Sequence, residues 1–240
     1  MKATECVTVI MNTFNERRDW LKAALDRVAP QVKHVIISAC EGDQNTAYLR
    51  EILPNNARLV LLPYHEQLGK CPQQSFRQIN NALPYVATEY VSWTSSDDLM
   101  HPEKYQRELD TLLSTGKQIV YSDYEMVDAD LRHQCFVSLG EYRYDRHLTN
   151  NFVSDLSLMR TDLLREFKLH GDRWRNYAFW DMWLRIFMAR GNVFVNLPQP
   201  MWQYRQDADS THMKRKRSPE MQAEADRDRR AMLKSHGVSY

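Results

Sequence analysis

Two adjacent carboxylates, Asp97 and Asp98, follow the apolar run Tyr90-Val-Ser-Trp-Thr94 and the two hydroxyls Ser95 and Ser96. Magnesium and manganese take oxygen ligands and are commonly held by one or two carboxylates together with substrate phosphates. A cation so placed neutralises the negative charge of a departing phosphate group. The dipeptide alone is better read as a cap for the helix expected near Pro102, since aspartate is a favoured N-cap. Position argues for the chemical reading: the pair ends an apolar strand, and polar residues end two other strands of the same kind, at Thr13 and Ser38.

The elements that must position these groups are visible in the patterning. Val7 to Thr13 is β-branched, apolar and uncharged, the pattern of a strand buried on both faces. Asn15 is expected to cap a helix over residues 16 to 28, where Trp20, Leu21, Ala24, Leu25 and Val28 fall at helical spacing. Pro30 ends that helix. Val32 to Ala39 is a second strand, Thr46 to Leu53 a short helix, and Ala57 to Leu62 a third strand. Gly69-Lys70 makes a loop. Gln74 to Leu83 is a helix with Phe76, Ile79 and Leu83 on one face, and Tyr90 to Thr94 is the fourth strand. Pro102 is expected to open a helix running to Gly116, and Gln118 to Tyr121 is a fifth strand.

This alternation predicts an α/β fold with a mostly parallel, Rossmann-like central sheet and helices on both faces. Ligands of such sheets lie beyond the carboxyl ends of the strands, where Thr13, Ser38 and Ser95 to Asp98 all fall. The second half is less regular. Extended segments surround a turn at Asp128-Ala-Asp130, and Ser154 to Met159 alternates like a strand. Thr161 is placed as the cap of a helix from Asp162 to Phe167. Phe179 to Arg190 is an aromatic-rich helix, followed by strands at Val193 to Val195 and Met201 to Arg205. Ser218-Pro219 has the form of a helix start.

Composition narrows the function classes. The 240 residues are 43% hydrophobic and 26% charged, an ordinary globular balance. With 32 basic and 31 acidic side chains the formal net charge is +1, and nothing calls for nucleic acid as a partner. The cysteines, Cys6, Cys40, Cys71 and Cys135, are too scattered for a zinc site or a disulfide scaffold. No stretch approaches the ~20 apolar residues of a spanning helix, and the N-terminus lacks a signal-peptide pattern. The chain is expected in the cytoplasm, with peripheral contact at the inner face of a membrane left open.

Several ordered segments resemble the family 2 glycosyltransferases of GT-A fold. They are Val9-Ile-Met-Asn-Thr-Phe-Asn-Glu16, Ala87 to Asp98, Ile119-Val-Tyr-Ser-Asp-Tyr124, Trp180-Asp-Met-Trp-Leu-Arg-Ile186 and Leu197-Pro-Gln-Pro-Met-Trp-Gln-Tyr-Arg205. Single segments are weak signals; five in the family's order, across residues 5 to 212, are a strong one. The resemblance implies one GT-A-like domain over 1–212, with a nucleotide-sugar half at 1–123 and an acceptor half at 124–212. Residues 213–240 are left as a basic loop and a C-terminal helix. The implied activity is transfer of a sugar, with inversion, from a UDP-, GDP- or dTDP-sugar to a glycan or lipid-linked glycan, assisted by Mn2+ or Mg2+.

By the same resemblance Thr13, Asn15, Glu16, Ser38, Asp43, Lys70, Ser95, Ser96, Arg205 and His212 face the donor, and Asp97 and Asp98 hold the metal. Departures from the family pattern are specific. Ser95 stands where the metal motif has its first aspartate, and Ser38-Ala39 where an aspartate pair usually contacts the base. Ala178-Phe179 stands where a Glu-Asp pair supplies the general base, which leaves Asp181 as the candidate base and Asp172 as a second. These losses keep open a second reading, a catalytically impaired sugar or nucleotide binder or a synthase subunit. A nucleotidyltransferase ranks last, because Asn12 to Glu16 contains no glycine. Three readings of Lys214-Arg-Lys-Arg217 stand: a solvated loop, a cationic cover for the diphosphate, or attraction to anionic lipid at ~1 kcal/mol per basic residue.

Overall fold

The computed structural model describes residues 1–63, 72–174, 176–207 and 217–238. The uncharged run at the start of the chain forms β1 (Val7–Asn12), in which Val7, Val9, Ile10 and Met11 are wholly buried. A short turn of helix, α1 (Ala3–Cys6), precedes it. The stripe Trp20, Leu21, Ala24, Leu25 and Val28 is the buried face of α2 (Arg18–Val28). A 3-10 turn around Pro30 ends that helix and leads into β2 (His34–Cys40). Then come α3 (Thr46–Glu51), β3 (Ala57–Leu62), α4 (Pro72–Ala82) and β4 (Tyr90–Ser95). A two-residue strand, β5 (Leu99–Met100), separates the aspartate pair from α5 (Lys104–Thr115). Gly116, in the left-handed region at φ 66°, closes α5 by bonding the Leu112 carbonyl.

The second half supplies β6 (Ile119–Asp128), β7 (His133–Val137), α6 (Tyr144–His147), β8 (Leu158–Arg160), α7 (Thr161–Phe167), α8 (Ala178–Arg190) and β9 (Phe194–Gln206). All nine strands join one sheet in the order β3-β2-β1-β4-β8-β6-β9-β5, with β7 hairpinned onto β6. The β1–β2, β2–β3, β1–β4 and β6–β9 pairings are parallel, and β8 is antiparallel to both β4 and β6. Hence β3, β2, β1, β4, β6 and β9 run one way, and β5, β7 and β8 the other. The mostly parallel α/β architecture expected from the sequence is the one observed.

Local boundaries differ where side chains take other duties. Glu16 lies outside α2, and Asn15 does not cap it; Asn15 sits in the left-handed region at φ 53°, and the N-cap is Arg17. Pro102 precedes α5 by a turn rather than opening it. Thr161 is the first residue of α7 and not its cap. Of the stretch 154–159, only Leu158 and Met159 enter the short strand β8. The two strands expected at 193–205 are one, because the register shifts opposite Asp123 let β9 continue past Pro198 and Pro200. Ser218 does cap the C-terminal helix Pro219–Ser235, its Oγ accepting from the Met221 amide at 3.3 Å.

One apolar core runs from Ala3 to Trp202 through both halves of the chain. A smaller cluster, Trp174, Trp180, Leu184, Met232 and Leu233, seats the C-terminal helix on α8. No described helix is long and apolar enough to cross a membrane. Within the main core, Lys104 and Glu108 form a fully buried ion pair. The Lys104 ammonium also donates to the Leu156 carbonyl at 2.9 Å, and Ser122 Oγ donates to Glu108 at 2.9 Å. Burial lowers the affinity of the Lys104 amine for its proton and raises that of the Glu108 carboxyl. Removing one partner strands the other charge in the core. Lys104→Met is therefore expected to lower the unfolding free energy by about 3–5 kcal/mol, and Lys104→Met with Glu108→Leu to restore most of it, as read by denaturant titration.

Candidate functional site

The carboxyl ends of three strands lie in one row. Asn12 pairs with Ser38 on one side and with Ser95 on the other. The Thr13 amide continues the ladder by donating to the Ser38 carbonyl at 3.1 Å. The row is tied from below by Gln78, a buried residue of α4. Its amide donates to the Thr13 carbonyl at 2.8 Å, and its backbone carbonyl accepts from Ser38 Oγ at 3.0 Å. Ser38 is thus committed to the scaffold. Thr13 Oγ1 is buried and has no partner among the described residues, a polar atom for which a ligand or water is the natural complement.

Asp43 holds the loops after β1 and β2 together. It is 4% exposed, and its two oxygens accept from the Asn15 amide at 3.1 Å and the Asn45 amide at 2.8 Å. Asn15 answers by accepting from the Gln44 amide at 2.9 Å, and Asn45 Nδ2 donates to the Glu16 carbonyl at 2.6 Å. The left-handed turn at Asn15 aims Glu16 back toward the aspartate pair. The Glu16 carboxyl is pushed above its ordinary range by burial and further by the charge of Asp97, while the Arg17 amide acts against both.

The two aspartates have separate fates. Asp98 is 5% exposed; it accepts from Ser95 Oγ at 2.8 Å and from the Arg205 amide at 3.1 Å. Burial, reinforced by Asp97, raises its carboxyl well above the usual value. Asp97 is partly exposed, and so is Ser95, whereas Ser96 is buried. Arg205 is buried as well. It donates from Nε to the Asp97 carbonyl at 2.9 Å and from Nη1 to the Ala129 carbonyl at 2.8 Å. Its guanidinium lies 4.2 Å from the centre of the Trp20 ring, whose other cationic neighbour, Arg17, is at 4.4 Å. Arg205 therefore binds the aspartate turn, the β6–β7 hairpin and α2 into one unit.

Among the described residues no cluster of three or more His, Cys, Asp or Glu forms a protein-only metal cage. The donor set still fits a hard divalent cation. Asp97 is accessible, and Glu16 lies close enough for their charges to oppose each other. One or two carboxylates with the remaining positions filled by phosphate and water is the usual magnesium arrangement.

Asp181 is nearly sealed, at 2% exposure. Its Oδ1 contacts His236 Nε2 at 2.9 Å, and its Oδ2 accepts from Arg185 Nε at 2.8 Å. Burial raises its carboxyl, but His236 and Arg185 outweigh that and leave it below the usual range. A carboxylate of low basicity, held by Arg185 and His236, suits positioning better than proton abstraction. Asp172 is exposed and lies 3.7 Å from Arg77. Lys70, His212 and the run Lys214 to Lys216 lie outside the described residues.

Residues that the sequence did not single out include Gln78, Asn45 and Trp20. Gln78 had a signal, since Ser75, Gln78, Ile79 and Ala82 share one helical stripe and a glutamine on an apolar stripe needs a partner. Asn45 and Trp20 had none.

Asp43→Ala is expected to free both loops and lower stability by about 1–3 kcal/mol, the range for leaving buried amides unpaired. Asp43→Asn, which keeps one acceptor, is expected to lose less in the same denaturant titration.

Comparison with known proteins agrees with the fold. Residues 8–167 match the model of glycosyl transferase family 2. A glycosyltransferase of uncharacterised activity from Rickettsia bellii is 22% identical over 203 residues, covering 78% of this chain and 28% of the relative. TuaG of Bacillus subtilis, a putative teichuronic acid biosynthesis glycosyltransferase, is 23% identical over 158 residues, 64% of this chain and 61% of its own. The chain thus spans less than two thirds of the length of either relative. TarS (1–349) of S. aureus, crystallised with UDP, superposes with a TM-score of 0.65 at 16% identity, covering 97% of this chain and 65% of that one. Glucosyl-3-phosphoglycerate synthase of Mycobacterium tuberculosis, crystallised with Mn2+, UDP and glucosyl-3-phosphoglycerate, gives 0.66 at 15% identity over 98% and 81%. With a family match over most of its length and the strand-end site in the matched region, the chain belongs to glycosyl transferase family 2.

Proposed function

We propose that the chain transfers a sugar, with inversion, from a nucleotide-diphosphate sugar to a glycan or lipid-linked glycan. The observation that carries this reading is the row Ser38-Asn12-Ser95 at the strand ends, with the accessible Asp97 turned out beside it. Thr13, Asn15, Glu16 and Asp43 form the cradle on the nucleotide side. Ser95 and Ser96 border it, and Lys70 and His212 are assigned to the donor phosphates. Ser38 and Arg205 act by fixing the cradle, since their polar groups are engaged with the protein. The nucleotide half is 1–123 and the acceptor half 124–212. TarS and glucosyl-3-phosphoglycerate synthase were crystallised with UDP, which supports uridine as the base. The name of TuaG, a putative teichuronic acid biosynthesis glycosyltransferase, supports a role in polysaccharide synthesis.

A divalent cation, held by Asp97 with Glu16 adjacent, supplies positive charge to the leaving diphosphate when bound. The protein's own part is to hold donor and acceptor in line and to keep the cradle rigid. The buried Asp98 has its oxygens engaged by Ser95 and Arg205, so it serves the turn, and Asp97 carries the greater share of the metal role.

The test is release of nucleoside diphosphate from a panel of UDP-, GDP- and dTDP-sugars with Mn2+. At least one donor is expected to be turned over, with chelation abolishing the rate and Asp97→Ala lowering it by about a hundredfold or more. Absence of turnover with every donor, together with unchanged nucleotide binding in Asp97→Ala, overturns the reading.

A further inference from the structure

An inverting transfer needs a base for the acceptor hydroxyl, and the start of α8 supplies no carboxylate that can serve. Phe179 there is stacked on Trp93 at 5.0 Å and packed edge-on to Phe76 at 5.3 Å, and Asp181 is enclosed. We propose that His170, oriented by Asp181, takes the proton from the acceptor hydroxyl. This inference rests on the glycosyl-transfer reading above.

His170 lies on the segment joining α7 to α8. Its side chain is 45% exposed, and its Nδ1 is 3.6 Å from Asp181 Oδ2. No described residue hydrogen-bonds its Nε2. Asp181 Oδ2, 3.6 Å from Nδ1, favours the tautomer with its proton on that nitrogen, which leaves Nε2 as the acceptor, the division of labour by which a buried aspartate selects a histidine tautomer.

The segment is held firmly for a connection between helices. Lys168, at φ 30°, turns the chain sharply. Arg185, already paired with Asp181, also donates to the carbonyls of Phe167 and Lys168. Asn80 of α4 holds Leu169 through two bonds, at 2.8 and 3.2 Å. The His170 carbonyl accepts from the amides of Arg173 and Trp174 at 3.1 and 2.9 Å. Gly171 is pressed so closely on Phe76 that a Cβ there would lie 2.4 Å from its ring. A rigid support is what a proton acceptor requires, because proton transfer is steeply dependent on distance.

The segment also lies toward the right end of the sheet. It climbs along α4, with Leu169 at Asn80, Gly171 at Phe76 and Asp172 at Arg77. The next residue up that helix, Ser75, accepts from Asn12 Nδ2 at 3.2 Å, at the end of β1 beside Ser95. α8 begins at the same edge, since it precedes β9, which runs parallel to β6.

The charges around the imidazole favour its neutral, basic form. Burial lowers the His170 pKa below the ordinary histidine value; Arg185 from α8 and Arg173 from its own segment act in the same direction, and Asp181 acts against them. His236 of the C-terminal helix lies on the far side of Asp181, and the Arg77–Asp172 pair is adjacent in the chain. In the step itself the acceptor oxygen bonds to the anomeric carbon while its proton passes to Nε2. The bond from that carbon to the diphosphate oxygen breaks, and its electron pair leaves with the nucleoside diphosphate.

The experiment uses the full chain, the donor identified by the panel above and its acceptor. His170→Gln is expected to lower kcat by about 10²- to 10⁴-fold, with the calorimetric affinity for the nucleoside diphosphate and Mn2+ unchanged. Activity of the unaltered chain falls as pH drops through the His170 ionisation, and this acid limb disappears in His170→Gln. Asp181→Asn is expected to move the limb to lower pH, since Asp181 favours the protonated imidazole. Full activity in His170→Gln, or loss of activity in Asp172→Asn with His170→Gln unaffected, overturns the proposal. No turnover by the unaltered chain with any donor removes the parent reading, and this one with it; binding without a rate loss in His170→Gln removes this one alone.

Discussion

The structure around the site depends on one engaged carboxylate. Asp98 is out of water and accepts from a strand amide and a serine hydroxyl. The amide belongs to Arg205, near the end of β9, and the hydroxyl to Ser95, the last residue of β4. Two strands that are not neighbours in the sheet are thereby joined at the point where the chain turns. An unpaired carboxylate in that position would cost several kcal/mol, so the turn holds only when β9 is docked. Arg205 extends the tie to Ala129 and Trp20. The partial exposure of Asp97 follows, because its neighbour takes the buried place.

The nucleotide side is built on a different economy. Asp43, Asn15, Asn45 and Gln78 exchange hydrogen bonds between backbone and short polar side chains. None of these is an ion pair; those of Asp43, Asn15 and Asn45 are local to two loops, and Gln78 ties the first of them to α4. Together they allow Asn15 to occupy a left-handed conformation that asparagine adopts more readily than most residues. The result is a preformed pair of loops beside a buried hydroxyl, Thr13 Oγ1, that has no partner among the described residues.

The sequence made the first half legible because it is regular. Four mainly apolar strands alternating with helices leave few arrangements, and the polar residues at their ends could only gather at one edge. The second half resisted for identifiable reasons. β5 is two residues long, too short to carry any periodicity, and it is recognised only through its pairing with Gln203 and Trp202. β9 carries two prolines, which read as a break, and the sheet absorbs them with shifts in register. Asp181 was found as a residue of interest, but its surroundings were not, since His236 is 55 positions away in the chain. Nothing in a one-dimensional pattern announces that contact.

That separation has a consequence for how the chain matures. Asp181 acquires one of its partners only when the C-terminal helix has packed against Trp174, Trp180 and Leu184. The last strand ends at Gln206, so every strand is synthesised before residue 236. A nascent chain can therefore assemble the strand-end row while Asp181 still lacks its last support. The order of translation places the C-terminal helix as the final brace on the start of α8.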